Sequence, residues 1–148
     1  MYFRNKYYFL SNMYPCDIKI DLYGNKYRFK CVEAAYHALK APNRIKEFEN
    51  LDGFAARKLG KTVERRKDFE EVKVKIMTRL VEQKFSNPEL QKLLTSVEGE
   101  IVESNQWGDT FWGKSYGKGE NVLGHILMDI RDKLLKGEYL CNDSSFDL

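Results

Sequence analysis

The sequence has 148 residues, 43% of them hydrophobic and 32% charged, with a net charge of +3. That balance excludes a disordered chain, and the absence of any apolar run near the ~20 residues a bilayer span needs excludes a transmembrane helix. So slight a basic excess, spread along the chain among acids, is no argument for a nucleic-acid surface.

In chain order, Phe9 to Pro15 is expected to be loop-like. Asp17–Leu22 and Lys26–Lys30 alternate apolar and polar residues about Gly24-Asn25, which predicts a hairpin. Cys31 to Ala41 is rich in helix formers and stops at Pro42. Val32, Ala35, Tyr36 and Leu39 share one face of it, and Glu33, His37 and Lys40 another. Short helices are expected near 44–51 and 53–59, the latter ended by Gly60. A long helix is predicted over 67–85 on the stripe Phe69, Val72, Ile76, Leu80 and Phe85, with Asp68 at its start. Asn87-Pro88 opens a further helix with a cap and a first-position proline. Residues 100–103 read as a short strand, 120–135 as the last helix, and 142–145 as a frayed tail. The fold class expected is α+β, mainly α: a single compact helical domain over 1–148, with a small N-terminal β-hairpin, a core at about 9–135 and a tail at 136–148.

Three cysteines, Cys16, Cys31 and Cys141, form no Cys-x-x-Cys pair, and no apolar leader precedes them. They point to a reduced, cytoplasmic compartment. The two histidines, His37 and His125, and the scattered cysteines have no zinc spacing, so neither metal nor cofactor is expected.

The stretch from Glu103 to Arg131 carries the chemical signal. It holds Trp107, Phe111 and Trp112 with Asn105, Gln106, Asp109 and Thr110 between them, a mixture suited to a ligand-binding wall. Core packing is the alternative for the rings. Gly117-Lys118-Gly119 lacks the spacing of a dinucleotide or P-loop motif but precedes a helix, where backbone N–H groups attract phosphate or merely close a turn. Asp109 beside large rings is expected to be partly desolvated, and Glu33 stands in an otherwise apolar helical turn.

These stretches together resemble the NADAR, or YbiA-like, family of N-glycosidases, over about Phe9 to Leu134. The resemblance rests on Phe9-Leu10-Ser11-Asn12-Met13-Tyr14-Pro15, Val32-Glu33-Ala34-Ala35-Tyr36-His37-Ala38-Leu39-Lys40 and Arg66-Lys67-Asp68-Phe69. It rests also on Lys84-Phe85-Ser86-Asn87-Pro88, Asp109-Thr110-Phe111-Trp112-Gly113 and Gly119-Glu120-Asn121-Val122-Leu123-Gly124. The chain departs from the family pattern at Ala34, where His is usual, at His37, where Gln is usual, and at Phe69, where Trp is usual. The resemblance implies cleavage of a bond between a ribosyl carbon and a nitrogen. Two substrates are implied: ADP-ribose on guanine, in a nucleotide or in nucleic acid, and a ribosylamino-pyrimidine phosphate of riboflavin synthesis. A module that binds ADP-ribose without cleaving it is the rival reading, and no membrane partner is implied.

Cleavage through an oxocarbenium-like sugar needs a carboxylate. Glu33 is expected first in that role and Asp109 second, the two facing one cavity. Lys40 or Lys84 would serve instead if the sugar were attacked by an amine to give a Schiff base. Ser11, Asn12, Tyr36, Gly113 and Asn121, which lie in the stretches that carry the resemblance, and the rings Trp107 and Trp112 are the substrate-binding residues expected.

Overall fold

The computed structural model describes residues Met1–Leu148. The chain divides into two compact units, one of residues 1–11 and 85–140, the other of residues 12–84 and 141–148. As expected, the elements are mainly helical, with a small antiparallel hairpin.

The second unit is built around α1 (Val32–Lys40). It packs against the hairpin β1 (Ile18–Leu22) and β2 (Asn25–Phe29), a 3-10 helix (Pro42–Phe48), α2 (Gly53–Gly60) and α3 (Phe69–Lys84). Neighbours on every side explain why α1 is buried almost all round, including Val32, Ala35, Ala38 and Leu39 at 0–1% exposure. Each large aliphatic side chain so buried is worth about 1.5–3 kcal/mol. The apolar-against-polar division of faces read from the sequence therefore does not apply: His37 is as buried as Tyr36.

The hairpin lies where its alternation placed it, but its turn is Tyr23-Gly24, one residue earlier than expected. Both turn residues have positive φ, 51° and 88°, as a type I′ connection requires. Gly60 lies inside α2 rather than after it. Asp68 stands just before α3, where its carbonyl takes the Val72 N–H and its carboxylate holds the Arg66 guanidinium at 2.6 and 3.0 Å. The tail is not frayed. Phe146 is fully buried beneath the Arg79 guanidinium, 4.5 Å from its ring centre. Main-chain bonds link Asp21 to Ser144 and Phe146, and Glu82 accepts the Cys141 N–H at 2.7 Å.

The first unit begins with a 3-10 helix (Asn5–Leu10), where no helix was expected. It packs on α4 (Pro88–Thr95), and α4 packs on α5 (Val122–Leu135). Asn87 caps α4 as predicted, accepting the Glu89 N–H at 2.9 Å. Residues 100–103 form no strand; a two-residue parallel pair, β3 (Ser104–Asn105) with β4 (Lys114–Ser115), follows instead. Arg131 of α5 ties down the segment before it, donating to the Val97 and Gly99 carbonyls at 2.6 and 2.7 Å.

Candidate functional site

In the second unit α1 presents Glu33, Tyr36, His37 and Lys40. The Glu33 carboxylate is only 14% exposed and pairs with His37 Nε2 at 2.7 Å, one helical turn on. Arg57 of α2 approaches the same oxygen to 3.6 Å, and the Glu33 N–H donates to the Asn12 carbonyl at 3.0 Å. Burial by itself raises the Glu33 carboxyl, but the His37 hydrogen bond and the charges of His37, Arg57 and Lys40 outweigh it. The net direction is down. Glu33 is thus a shielded carboxylate held ionised, the state that stabilises a neighbouring cation.

Tyr36 is packed against Phe69 with ring centres 5.4 Å apart. Lys40 lies over both rings, at 5.6 and 5.7 Å, and its burial lowers its ammonium pKa, against the opposing charge of Glu33. Asn12 turns its side-chain amide toward the Met77 sulfur at 3.5 Å. Lys84, at the end of α3, is 3% exposed and lies 5.6 Å from the Tyr14 ring. Burial pushes its ammonium pKa down to about 8, with Cys16 and Cys31 acting weakly in the other direction. Such an amine is partly neutral near physiological pH, the form a nucleophile needs. A broad groove of about 720 Å³ runs between Pro15–Asp17, Arg28–Lys30 and Glu49–Asn50. In it the Arg28 guanidinium pairs with Asp17 at 2.7 Å, and the Arg28 main-chain N–H donates to Glu49 at 3.0 Å. None of the residues picked from the sequence lines it, and the shielded carboxylate of α1 is the better centre for chemistry.

The first unit gathers Trp107, Asp109, Trp112, Gly113 and Asn121 in one loop. Trp107 is 67% exposed and open to stacking. Trp112 is half-buried, edge-on to Phe111 with ring centres 4.9 Å apart. Asp109 Oδ1 accepts the Phe111 and Trp112 N–H groups at 3.1 and 3.0 Å, so the carboxylate holds the turn that carries these rings. Asn105 fixes the same turn through Trp107, Asp109 and the Asp109 carbonyl. Gly113 is required by space: a Cβ there would sit 2.2 Å from the Glu103 carbonyl oxygen.

Asn121 is fully buried, at φ 53°. Its Oδ1 accepts the Glu103 N–H at 2.9 Å and its Nδ2 donates to the Ile101 carbonyl at 2.9 Å. These bonds tie the start of α5 to residues 101–103. The start of α5 is not an open phosphate cradle either. The N–H groups of Glu120, Asn121, Val122 and Leu123 donate to the carbonyls of Thr110, Gly113, Phe111 and Trp112. Ser11 closes the first 3-10 helix, donating its N–H to the Tyr8 carbonyl at 2.9 Å.

His37 was not among the candidate site residues, although it pairs with the Glu33 carboxylate. Its place four residues after Glu33 was the available signal.

A family model described as the NADAR domain matches residues 1–135. The chain is 30% identical over 143 residues to the chloroplastic riboflavin biosynthesis protein PYRR of Zea mays, covering 84% of this chain and 23% of that protein. It is 38% identical over 72 residues to the N-glycosidase YbiA of Escherichia coli (strain K12), covering 47% of this chain and 44% of YbiA. The chain thus spans less than half the length of each of these curated relatives. The NMR structure of E. coli YbiA superimposes with a TM-score of 0.76 at 28% identity, over 93% of this chain and 85% of that one.

Proposed function

From the premise that the chain belongs to the NADAR domain family, we propose that it is an N-glycosidase that hydrolyses a ribosyl C–N bond. The observation that carries this reading is the Glu33 carboxylate, shielded from water yet held ionised by His37 and Arg57. As the C–N bond breaks, its electron pair leaves with the nitrogen and positive charge spreads over C1 and the ring oxygen of the ribose. A fixed anion beside that carbon stabilises the charge as it develops. Water then adds to C1 and gives up a proton, and the released base takes one, so the products are a free ribosyl hydroxyl and an N–H base. Within its own loop, Trp107 is a ring open to stacking.

Lys84 supports a second route. Its lowered pKa suits attack by the neutral amine on C1 of the opened sugar. The C1–N bond to the base then breaks, the base leaves with the electron pair and takes a proton, and water later hydrolyses the lysine Schiff base left on C1. Borohydride during turnover separates the routes: a trapped protein–sugar adduct supports the lysine, and unchanged protein from an active enzyme removes it.

For the substrate, ADP-ribose on guanine is our first reading, carried by the sequence resemblance. The relative named a riboflavin biosynthesis protein supports the other, a ribosylamino-pyrimidine phosphate. Incubating the protein with each and measuring released base or pyrimidine decides between them. Release from neither leaves the binding-module reading. Glu33→Gln is expected to lower the rate of release by about 100-fold or more, and full activity in that variant would overturn the role of Glu33.

A further inference from the structure

Buried polar groups normally find partners, and one that does not calls for a physical reason. His37 Nδ1 is enclosed and accepts or donates no hydrogen bond. It faces Gly60 of α2, where a Cβ would lie 2.3 Å from Nδ1 and 2.8 Å from Cγ. The Tyr36 ring stands at 74° to the imidazole, with centres 5.6 Å apart. One polar contact remains, Nε2 to Glu33 Oε1 at 2.7 Å. An ionised carboxylate can only accept, so Nε2 is the donor in this bond. Nδ1 is then left without a polar partner, laid against a glycine that offers no side chain to meet it.

We infer that His37 is a positioning residue for the Glu33 carboxylate, and that glycine at position 60 gives the imidazole its room. The inference rests on the reading above that Glu33 serves the reacting sugar. His37 reaches that sugar only through Glu33. An anion that must sit beside one carbon of the substrate gains from being fixed in advance, because a carboxylate free to swing loses both distance and orientation. The other groups acting on Glu33 are Arg57 from α2, at 3.6 Å, Lys40 further along α1 and the Cys31 thiol just before it. Arg57 is 40% exposed and longer in reach, so it neutralises more than it orients.

The test compares His37→Ala, His37→Gln and Glu33→Gln in the full chain, with base release measured across pH. His37→Ala is expected to lower kcat by about 10- to 100-fold with KM changed less than about threefold. The acidic limb of its kcat profile moves to higher pH, because the bond that helps hold Glu33 ionised is gone. His37→Gln has an amide that can donate to the same oxygen, and it restores both kcat and the limb. If His37→Ala lowers the folded fraction, His37→Met, of similar volume but without a donor, replaces it against His37→Gln. Independently of any substrate, the Glu33 side-chain carbon resonance in labelled protein is expected to titrate at higher pH in His37→Ala, because the His37 hydrogen bond that lowers it is gone. Unchanged kcat and pH profile in His37→Ala, with Glu33→Gln inactive, would overturn the inference. Full activity in Glu33→Gln would instead overturn the proposed chemistry, whatever the resonance shows.

Discussion

Asn121 holds two main-chain groups of the preceding segment through one side chain. It sits in the left-handed region, which asparagine tolerates better than most residues. It also satisfies one donor and one acceptor of residues 101–103. Asn121→Ala leaves both without partners in a buried place, at about 1–3 kcal/mol for each. A fall in the urea midpoint with unchanged slope is the expected result, and a midpoint within error of the parent would show that water replaces the amide. The sequence made Asn121 look like a ligand residue because its partners are backbone atoms 18 and 20 positions upstream, which no local pattern reports. Glu33 was legible for the opposite reason: one charge in an apolar helical turn is visible locally. Its bond to His37 was not, since a shared helical face does not report that the face is buried and the two side chains paired.

At the scale of elements, regular periodicity was the reliable guide. The hairpin, α3, α4 and α5 were all readable from it, as was the Asn87 cap. The 3-10 helix at Asn5–Leu10 was hidden because Tyr7, Tyr8, Phe9 and Leu10 are consecutive apolar residues with no 3.6-residue period. The last turn of α3 carries burial that periodicity does not report. Glu82, Gln83 and Lys84 are buried, and Gln83 is held there by both main-chain groups of Lys19, at 2.6 and 2.9 Å. The hairpin turn offers a test. Tyr23 is 68% exposed and holds φ 51°, a conformation that costs a bulky residue and suits asparagine. Tyr23→Asn is expected to stabilise the protein by roughly 0.5–1 kcal/mol, read as a higher thermal midpoint. A lower midpoint would show that the contact of the Tyr23 hydroxyl with the Leu148 carbonyl, at 3.4 Å, outweighs the backbone strain.

At the scale of the whole molecule, Lys84 and Cys16 make stability depend on pH in opposite senses. Burial lowers the Lys84 pKa from 10.5 to about 8, so between those values the unfolded chain binds more protons and stability rises with pH. Burial raises the Cys16 thiol from 9.0 to about 11, with the Lys84 charge opposing, so between those values the folded chain binds more protons and stability falls. The expected curve climbs from about pH 8 to 9 and then levels. Lys84→Met should lose the climb, and Cys16→Ser should extend it toward pH 10.5. Denaturant midpoints at half-unit pH steps check this, and an unaltered climb in Lys84→Met would remove Lys84 as its source. The order in which the chain visits its two units has a further consequence, for biogenesis. It enters the first at residues 1–11, the second at 12–84, the first again at 85–140 and the second again at 141–148. Neither unit is a contiguous segment. A growing polypeptide normally folds its early domain while the later one is still being made. Here the unit that bears Glu33 takes its buried Phe146 from residues 141–148. The packing of Phe146 under the Arg79 guanidinium is thus completed only after residues 85–140, which belong to the other unit, have been made.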